Sequence, residues 1–195
     1  DALAERLGRE LARIHAVTPE TGARLVPDQS FDFLTPASAN PGLDRIRLYR
    51  RYLDDLGGPH PALEWGLRWL ERNSRPSREI VLIHEDFRTG NYLVDGQGLT
   101  AILDWEFAGW SDPLEDIGWF CARCWRFGAD HMEAGGIGQR EDFYRGYEDE
   151  AGVPIAREQV HYWEVMAHLT WAIIALQQAE RHSSGEETSL LLALT

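Results

Sequence analysis

Between two apolar runs, the segment LIHEDFRTGNYLVD carries a histidine, a glutamate, two aspartates, an arginine and an asparagine. Polar and charged groups beside buried strands are costly unless they are hydrogen-bonded or used in chemistry. Five positions follow one spacing pattern: His84-x-Asp86-x-Arg88-x-x-Asn91, and then Asp104 thirteen residues beyond the asparagine. These residues are the candidate site.

Three of these side chains supply oxygen atoms and fall at the ends of predicted strands. Asp86 follows one strand on a loop, Asn91 opens the next strand, and Asp104 ends the third. Oxygen ligands suit Mg²⁺, which takes one or two protein ligands and leaves the other positions to water and phosphate. A carboxylate that does not bind the metal is free to orient a hydroxyl nucleophile. The sequence therefore predicts a magnesium site next to such a carboxylate.

The elements that must position these residues are three short predicted strands. Segments 80–84, 91–95 and 99–105 are short and rich in β-branched residues, and the GQG sequence between the last two predicts a hairpin turn. Asp112 is predicted to cap the next helix, with Pro113 at its first position. The three strands are expected to converge at one end of a small sheet.

Most of the remaining chain is predicted to be helical. Apolar residues spaced three and four positions apart predict helices from Leu3 to Ile14 and from Leu43 to Leu56, and Pro61 opens a third. The stretch 18–42 between the first two is predicted to be irregular, and the chain after the strands is predicted to be helical to its end. The predicted fold class is therefore α+β, dominated by helix.

Composition limits the partners and the location of the protein. The formal net charge of −13 disfavours a nucleic-acid partner. No apolar run approaches the roughly 18–20 residues of a membrane span, so no membrane partner is expected. The two cysteines lie in one aromatic segment, which excludes a disulfide framework and makes a cytoplasmic location the simplest expectation. The sequence does not predict an oligomeric state.

The segment HEDFRTGN resembles the catalytic loop of the protein-kinase-like superfamily, H-x-D-x-[K/R]-x-x-N, and Asp104-Trp105-Glu106 is similar to its metal-binding D-x-x element. Together with LTAILDWEFAGWSDPLEDIGW and CWRFG, these motifs resemble the aminoglycoside phosphotransferase (choline-kinase-like) family of small-molecule kinases. The branch that they resemble most is that of kinase domains fused to acyl-CoA dehydrogenases. The resemblance covers nearly the whole chain and corresponds to the C-terminal lobe of the family.

The resemblance implies ATP and Mg²⁺ as cofactors and a small-molecule hydroxyl as the phosphate acceptor. Asp86 would accept or orient the proton of that hydroxyl, while Asn91 and Asp104 would hold Mg²⁺ against the ATP phosphates. Arg88 matches the position where many protein kinases keep a lysine near the transferred phosphoryl group, so it is expected to contact phosphate.

Three further residues receive supporting roles from the same resemblance. His84 would brace the catalytic loop by hydrogen bonds, and Asp116 would tie the following helix to that loop. Glu106 would be a second metal ligand or a substrate contact. Glu85 departs from the family pattern, because many relatives have glycine there.

The chain contains no lysine, since all 19 of its Lys and Arg residues are arginines. Kinases of this kind need a Gly-rich phosphate loop and a strand lysine, both on an N-terminal lobe. We therefore expect residues 1–195 to form the C-terminal lobe, with the catalytic loop and the substrate site, and the nucleotide lobe to be absent from this chain. The missing initiator methionine agrees with a fragment, which is expected to be inactive alone.

Simpler explanations exist for the individual site residues. Asp86, Asn91 and Asp104 could serve only as turn and cap residues, although three positions and two intervals would then agree by chance. Arg88 could belong to a surface ion pair.

Two other motifs are explained by structure alone. Cys121 and Cys124 have C-x-x-C spacing without a second pair, and their aromatic neighbours favour a buried helix face over zinc or redox chemistry. The GGIG sequence at 135–138 follows no strand, so it is predicted to be a flexible loop and not a phosphate loop.

Two other functions compete with the kinase. A pseudokinase or small-molecule-binding module without turnover is favoured by the missing lysine, and a metal-dependent phosphohydrolase ranks last because further histidines are lacking. The acceptor stays open between an aminoglycoside, which the acidity suits, and a hydroxyacyl compound. An apolar pocket favours the second, and its predicted walls are Trp105, Trp110, Trp119 and Trp125.

Overall fold

The computed structural model describes residues 2–25, 31, 33–34 and 38–193. Helices make up most of this part of the chain, which confirms the helix-dominated α+β class. Their bounds are α1 Ala2–His15, α2 Pro19–Leu25, α3 Pro41–Leu56, α4 Pro61–Asn73, α5 Leu114–Cys121, α6 Arg140–Ala151, α7 Arg157–Ser183 and α8 Leu190–Ala193. A 3₁₀ turn, Arg123–Trp125, follows α5. No described helix combines the length and apolar character needed to cross a bilayer.

Short strands lie between α4 and α5: β1 Val81–Ile83, β2 Tyr92–Asp95, β3 Gly98–Ile102 and β4 Gly109–Ser111. The predicted hairpin is confirmed, because β2 and β3 pair antiparallel with Tyr92 opposite Ile102. The prediction of three strands in one small sheet is wrong. β1 pairs antiparallel with β4, with Leu82 opposite Trp110, and forms a separate two-stranded sheet. Three residues are too few for β4 to show an alternating pattern in the sequence.

Helix α2 lies in the stretch that was predicted to be irregular. The Thr21 N–H donates to Thr18 Oγ1 at 3.1 Å, and the Thr18 N–H donates to Thr21 Oγ1 at 2.7 Å. This reciprocal pair is a capping box in which threonine replaces the usual Glu or Gln, so the usual helix-start signal is missing. Residues 26–30, 32 and 35–37 of that stretch lie outside the described residues.

Helices α1 and α6 pack with their backbones almost in contact. A Cβ atom on Gly146 would lie 1.9 Å from the Glu5 carbonyl oxygen, and one on Gly8 would lie 2.1 Å from the Phe143 carbonyl oxygen. Neither position has room for a larger residue. This close approach brings the end of α1 beside α6, next to the start of the loop of residues 84–91, the candidate catalytic loop.

Helix α7, 27 residues long, contacts α3, α4 and α5 and is the central element of the helical part. The candidate catalytic loop is anchored in the same core by Phe87, which is 2% exposed and packs edge-on against Phe120 with 5.4 Å between ring centroids. Asp112 caps α5, since its Oδ1 accepts the Leu114 N–H at 2.8 Å. The loop is thereby held between the two small sheets and the helices.

Candidate active site

The Asp86 carboxylate is buried, with 8% of the residue exposed, and three side chains donate hydrogen bonds to it. Arg88 Nε lies 3.0 Å from Oδ1, Trp119 Nε1 lies 3.1 Å from Oδ1, and Asn91 Nδ2 lies 2.5 Å from Oδ2. Donors on three sides fix the plane of the carboxylate. Trp119 was predicted as a pocket wall, and its bond to Asp86 was not foreseen.

Arg88 belongs to the site and does not form an ion pair on the outer surface. Besides its bond to Asp86, its Nη1 donates to the Thr89 carbonyl at 3.3 Å. Its guanidinium carbon lies 4.7 Å from the centroid of the Trp125 ring, an arrangement that favours a cation. The positive charge is therefore held beside the Asp86 carboxylate.

Asn91 is linked by a backbone hydrogen bond to Leu103, the residue before Asp104. The Asn91 amide nitrogen donates to the Asp86 carbonyl at 3.0 Å as well as to its carboxylate, which leaves the amide oxygen as the group able to bind a cation. The Leu103 N–H donates to the Asn91 carbonyl at 2.8 Å, which places Asp104 one residue from this contact. Asp104 is exposed, with a φ of 66°, and no described residue bonds its carboxylate.

His84 bridges the candidate catalytic loop and the end of the hairpin. Its Nδ1 accepts the Asp86 N–H at 3.2 Å, so its Nε2 carries the proton that is donated to the Leu103 carbonyl at 2.8 Å. This tautomer links Asp86 to the residue that precedes Asp104.

Asp116 is fully buried, and its carboxylate accepts hydrogen bonds from two backbone N–H groups at the start of the loop. His84 N–H donates to Oδ2 at 2.7 Å and Glu85 N–H donates to Oδ1 at 2.8 Å. His15 Nε2, at the end of α1, lies 3.2 Å from Oδ2, and its Nδ1 lies 2.9 Å from the Tyr147 hydroxyl of α6. The loop is thus anchored to three helices. Sequence reasoning missed His15 and Tyr147.

Glu106 lies on the exposed turn between β3 and β4, where no described residue bonds its carboxylate. Within the described residues, no group of three or more His, Cys, Asp or Glu side chains has the arrangement of a metal site. The structure therefore brings Asn91 close to Asp86 and to the backbone beside Asp104, and does not gather Asp86, Asp104 and Glu106 into a carboxylate cluster. Oxygen atoms of the kind that Mg²⁺ binds are the Asn91 amide oxygen and the carboxylates of Asp104 and Glu106.

A cavity of about 410 Å³ opens beside Asp86 and Arg88, between α3, α5 and α7. This volume falls in the ~300–1,000 Å³ range of small-molecule sites. Of the four predicted walls, Trp119 and Trp125 line it. Trp105 packs against the His84 ring and Trp110 against Phe31, so these two do not. Instead, α7 supplies two further tryptophans, Trp163 and Trp171.

Residues 1–159 match the model of the phosphotransferase enzyme family. The chain belongs to this family. Solved structures share its fold at low identity. A candidate aminoglycoside phosphotransferase from Ralstonia eutropha JMP134 is 20% identical with a TM-score of 0.76, over 98% of this chain and 59% of that chain. A choline/ethanolamine kinase family protein from Mesorhizobium loti is 23% identical with a TM-score of 0.56, over 90% of this chain and 53% of that chain.

A third structure of the same fold is a spectinomycin phosphotransferase in complex with ADP and spectinomycin. It is 16% identical with a TM-score of 0.55, over 90% of this chain and 54% of that chain. The chain therefore spans between 53% and 59% of the length of these three relatives. The expected link to acyl-CoA dehydrogenases stays a prediction.

The C-x-x-C motif and the GGIG segment are both packed against the core of the structure. Cys121 is buried, and burial raises the pKa of its thiol to about 12 and that of Cys124 to about 11, which keeps both protonated. The GGIG segment differs from the flexible loop that was predicted. Gly135 is buried against Phe120, and its carbonyl accepts a hydrogen bond from the Thr89 hydroxyl at 2.6 Å. The GGIG segment therefore holds the candidate catalytic loop in place through Thr89.

Glu85 occupies a left-handed backbone position, φ 67°, a conformation that favours glycine. Its carboxylate faces the cavity and pairs with Arg45 at 2.6 Å, and Arg45 also binds Glu115 at 2.8 Å. Burial raises the pKa of Glu85 to about 7. Arg45 opposes this shift, while the negative charges of Glu115 and Asp116 add to it.

We expect the Glu85→Gln variant to gain stability relative to the parent as pH rises. The folded-state pKa of about 7 lies above the ordinary 4.5, so the folded chain binds this proton more tightly than the unfolded chain. The parent therefore loses unfolding free energy between about pH 4.5 and pH 7, by about 2 kcal/mol after allowance for partial exposure. Urea unfolding at pH 5 and pH 8 measures the difference. Glu158→Gln, at an exposed position on α7, should follow the parent, and parallel curves for Glu85→Gln would refute the shift.

Proposed function

We propose that the chain is the catalytic-loop and substrate lobe of an ATP- and Mg²⁺-dependent kinase that phosphorylates a hydroxyl of a small molecule. The observation that carries this proposal is the Asp86 carboxylate, held by three donors at the wall of a ligand-sized cavity. A location in the cytoplasm and the absence of a nucleic-acid partner are part of the proposal.

Asp86 would act on the acceptor. A hydroxyl in the cavity would donate a hydrogen bond to the carboxylate, which would orient the oxygen for attack. The carboxylate would take up the proton as the new bond to phosphorus forms and the bond from phosphorus to the leaving ADP breaks. Arg88, beside Asp86 and over Trp125, would offset negative charge on the transferred group. Because phosphoryl transfer requires little covalent work from the protein, these positioning contacts supply most of the catalysis.

Asn91 and Asp104 would hold the metal with the amide oxygen and the carboxylate. ATP, when bound, supplies the phosphoryl group, and Mg²⁺ neutralises charge on its phosphates. The spectinomycin phosphotransferase structure contains ADP, which supports ATP as the phosphoryl donor of this chain. We further propose that residues 1–195 are the C-terminal lobe and that the Gly-rich loop and lysine lie on a polypeptide segment outside this sequence, since the chain has no lysine.

The missing lysine is also what favours the second candidate, a binding module or pseudokinase with the same fold. The two candidates differ in turnover. Transfer of the terminal phosphate of radiolabelled ATP to a small alcohol, by the chain together with the sequence encoded upstream of it, supports the kinase. Ligand binding without transfer supports the module.

Replacing Asp104 by Asn should raise the Mg²⁺ concentration for half-maximal turnover at least about tenfold, because a neutral amide binds a hard cation less well than a carboxylate. A Mg²⁺ titration at saturating ATP measures this shift. Asp55→Asn, an exposed site on α3, is the matched control and should leave the titration unchanged. If the Mg²⁺ titration of Asp104→Asn is unchanged, Asp104 does not bind the metal. If Glu106→Gln shifts the titration as much as Asp104→Asn does, Glu106 is also a metal ligand.

A further inference from the structure

The cavity beside Asp86 is apolar along most of its length. Helix α7 contributes Met166, Ala167, Ile173 and Ile174 to one wall, and Leu48 of α3 faces them. Trp119 and Trp125 close the side next to Asp86. A ligand in this space exchanges water contacts for aliphatic and aromatic carbon, which favours apolar groups in proportion to the area covered.

Each carboxylate that lines the cavity already has a guanidinium partner. Arg45 lies 2.6 Å from Glu85 and 2.8 Å from Glu115, and Arg88 lies 3.0 Å from Asp86. The Ser111 hydroxyl also donates to Glu115. An ammonium group entering the cavity would lose its water and would have to share a carboxylate with one of these arginines, whose positive charge repels it.

The Trp125 ring beside Arg88 is not an open platform for a quaternary ammonium. The Trp125 face is occupied by the Arg88 guanidinium at 4.7 Å. Trp119 and Trp171 pack against the same ring, with centroid distances of 5.0 and 4.8 Å. A cation over this ring would compete with one that is already there.

Given the proposed kinase function, on which this inference rests, we propose that the acceptor is an alcohol with an uncharged apolar body, and that Arg45 is a specificity-determining residue. The apolar body lies between α3 and α7 while its hydroxyl meets Asp86. Arg45 forms ion pairs with both Glu85 and Glu115. Its positive charge weakens the attraction of these two carboxylates for an amine-bearing acceptor.

The test compares octan-1-ol with 8-aminooctan-1-ol, two probes that differ at one end. Binding to the chain is followed by tryptophan fluorescence and calorimetry at pH 8 without nucleotide. We expect octan-1-ol to bind at least about tenfold more tightly than the amine, since the ammonium loses hydration and meets only carboxylates that are already paired with an arginine. Equal or tighter binding of the amine, or no binding of octan-1-ol, would overturn the proposal.

Arg45→Met supplies the second arm, because it frees both carboxylates and keeps an aliphatic side chain. The preference for octan-1-ol should fall at least about tenfold, through a gain in amine affinity. Arg47→Met, an exposed position of α3 paired with Asp44, is the matched control and should keep the parent's preference. An unchanged preference in a folded Arg45→Met variant would refute the role of Arg45.

A second variant, Ile174→Glu, leaves Arg45 in place, so the proposal can still be tested if Arg45→Met does not fold. Ile174→Glu adds a carboxylate to the cavity wall without a guanidinium partner, so amine affinity should rise there too. If it does not, the amine end does not reach this cavity and the proposal fails. These binding results need no phosphoryl transfer. A protein that phosphorylates aminoglycosides and rejects octan-1-ol would uphold the kinase and overturn this inference.

Discussion

Replacing Asp86 by Asn should lower kcat about 10²–10⁴-fold while the affinity for Mg²⁺-ADP stays nearly unchanged. Asparagine has the same shape and its oxygen can still accept the Trp119 N–H, but it cannot take up the acceptor proton. It also loses the charge that pairs with Arg88. The measurement is phosphate transfer to the acceptor by the chain with its upstream sequence, combined with calorimetry of nucleotide binding.

The control for this experiment is Asp130→Asn, the same change at an exposed carboxylate that pairs with Arg123 on the surface. It should leave kcat and nucleotide binding as in the parent. An Asp86→Asn variant that retains full kcat would show that the carboxylate is structural, and the binding-module function would then be preferred. A large loss of nucleotide affinity would instead place Asp86 in the nucleotide site.

Asp116→Asn should destabilise the isolated chain by roughly 2–3 kcal/mol. The carboxylate accepts the N–H groups of His84 and Glu85 with different oxygens, so an amide NH₂ group must face one of these donors or His15. A buried donor then loses its acceptor, and the start of the catalytic loop loses an anchor. Urea unfolding measures the free energy, and hydrogen exchange at the two backbone amides reports the local loss of protection.

Asp54→Asn, on the exposed side of α3, is the matched control and should change the unfolding free energy by less than about 0.5 kcal/mol. Equal stabilities for Asp116→Asn and the parent would mean that the loop is held by other contacts, Phe87 in the core above all. Lower stability with normal protection at His84 and Glu85 would place the effect at His15 and not at the loop.

The sequence predicted those features that depend on nearby residues. The apolar spacing of Leu3, Leu7 and Leu11 suffices to predict α1, because one helix face must be buried whatever it packs against. The spacing within residues 84–91 likewise suffices to locate the catalytic loop, since its geometry depends on local turns and on the Asn91 bonds to Asp86.

The features that were missed depend on residues far apart in the chain. His15 lies 101 positions from Asp116 and 132 from Tyr147, and Trp119 lies 33 from Asp86. Arg45 binds Glu115 across 70 positions. A single sequence carries no local signal for such pairs. The pairing of β1 with β4 is missed for the same reason, because strand partners are chosen by the packed fold.

The close approach of α1 and α6 has a consequence for synthesis of the protein. Helix α1 leaves the ribosome before α6, and the groove that accepts Gly8 and the Tyr147 hydroxyl that meets His15 belong to a segment made more than a hundred residues later. During that interval the apolar side of α1 lacks α6, its main native partner, and it is open to chaperones or to mispairing. The anchor of the catalytic loop is therefore completed only when α6 docks, which makes its formation a late, long-range event in folding.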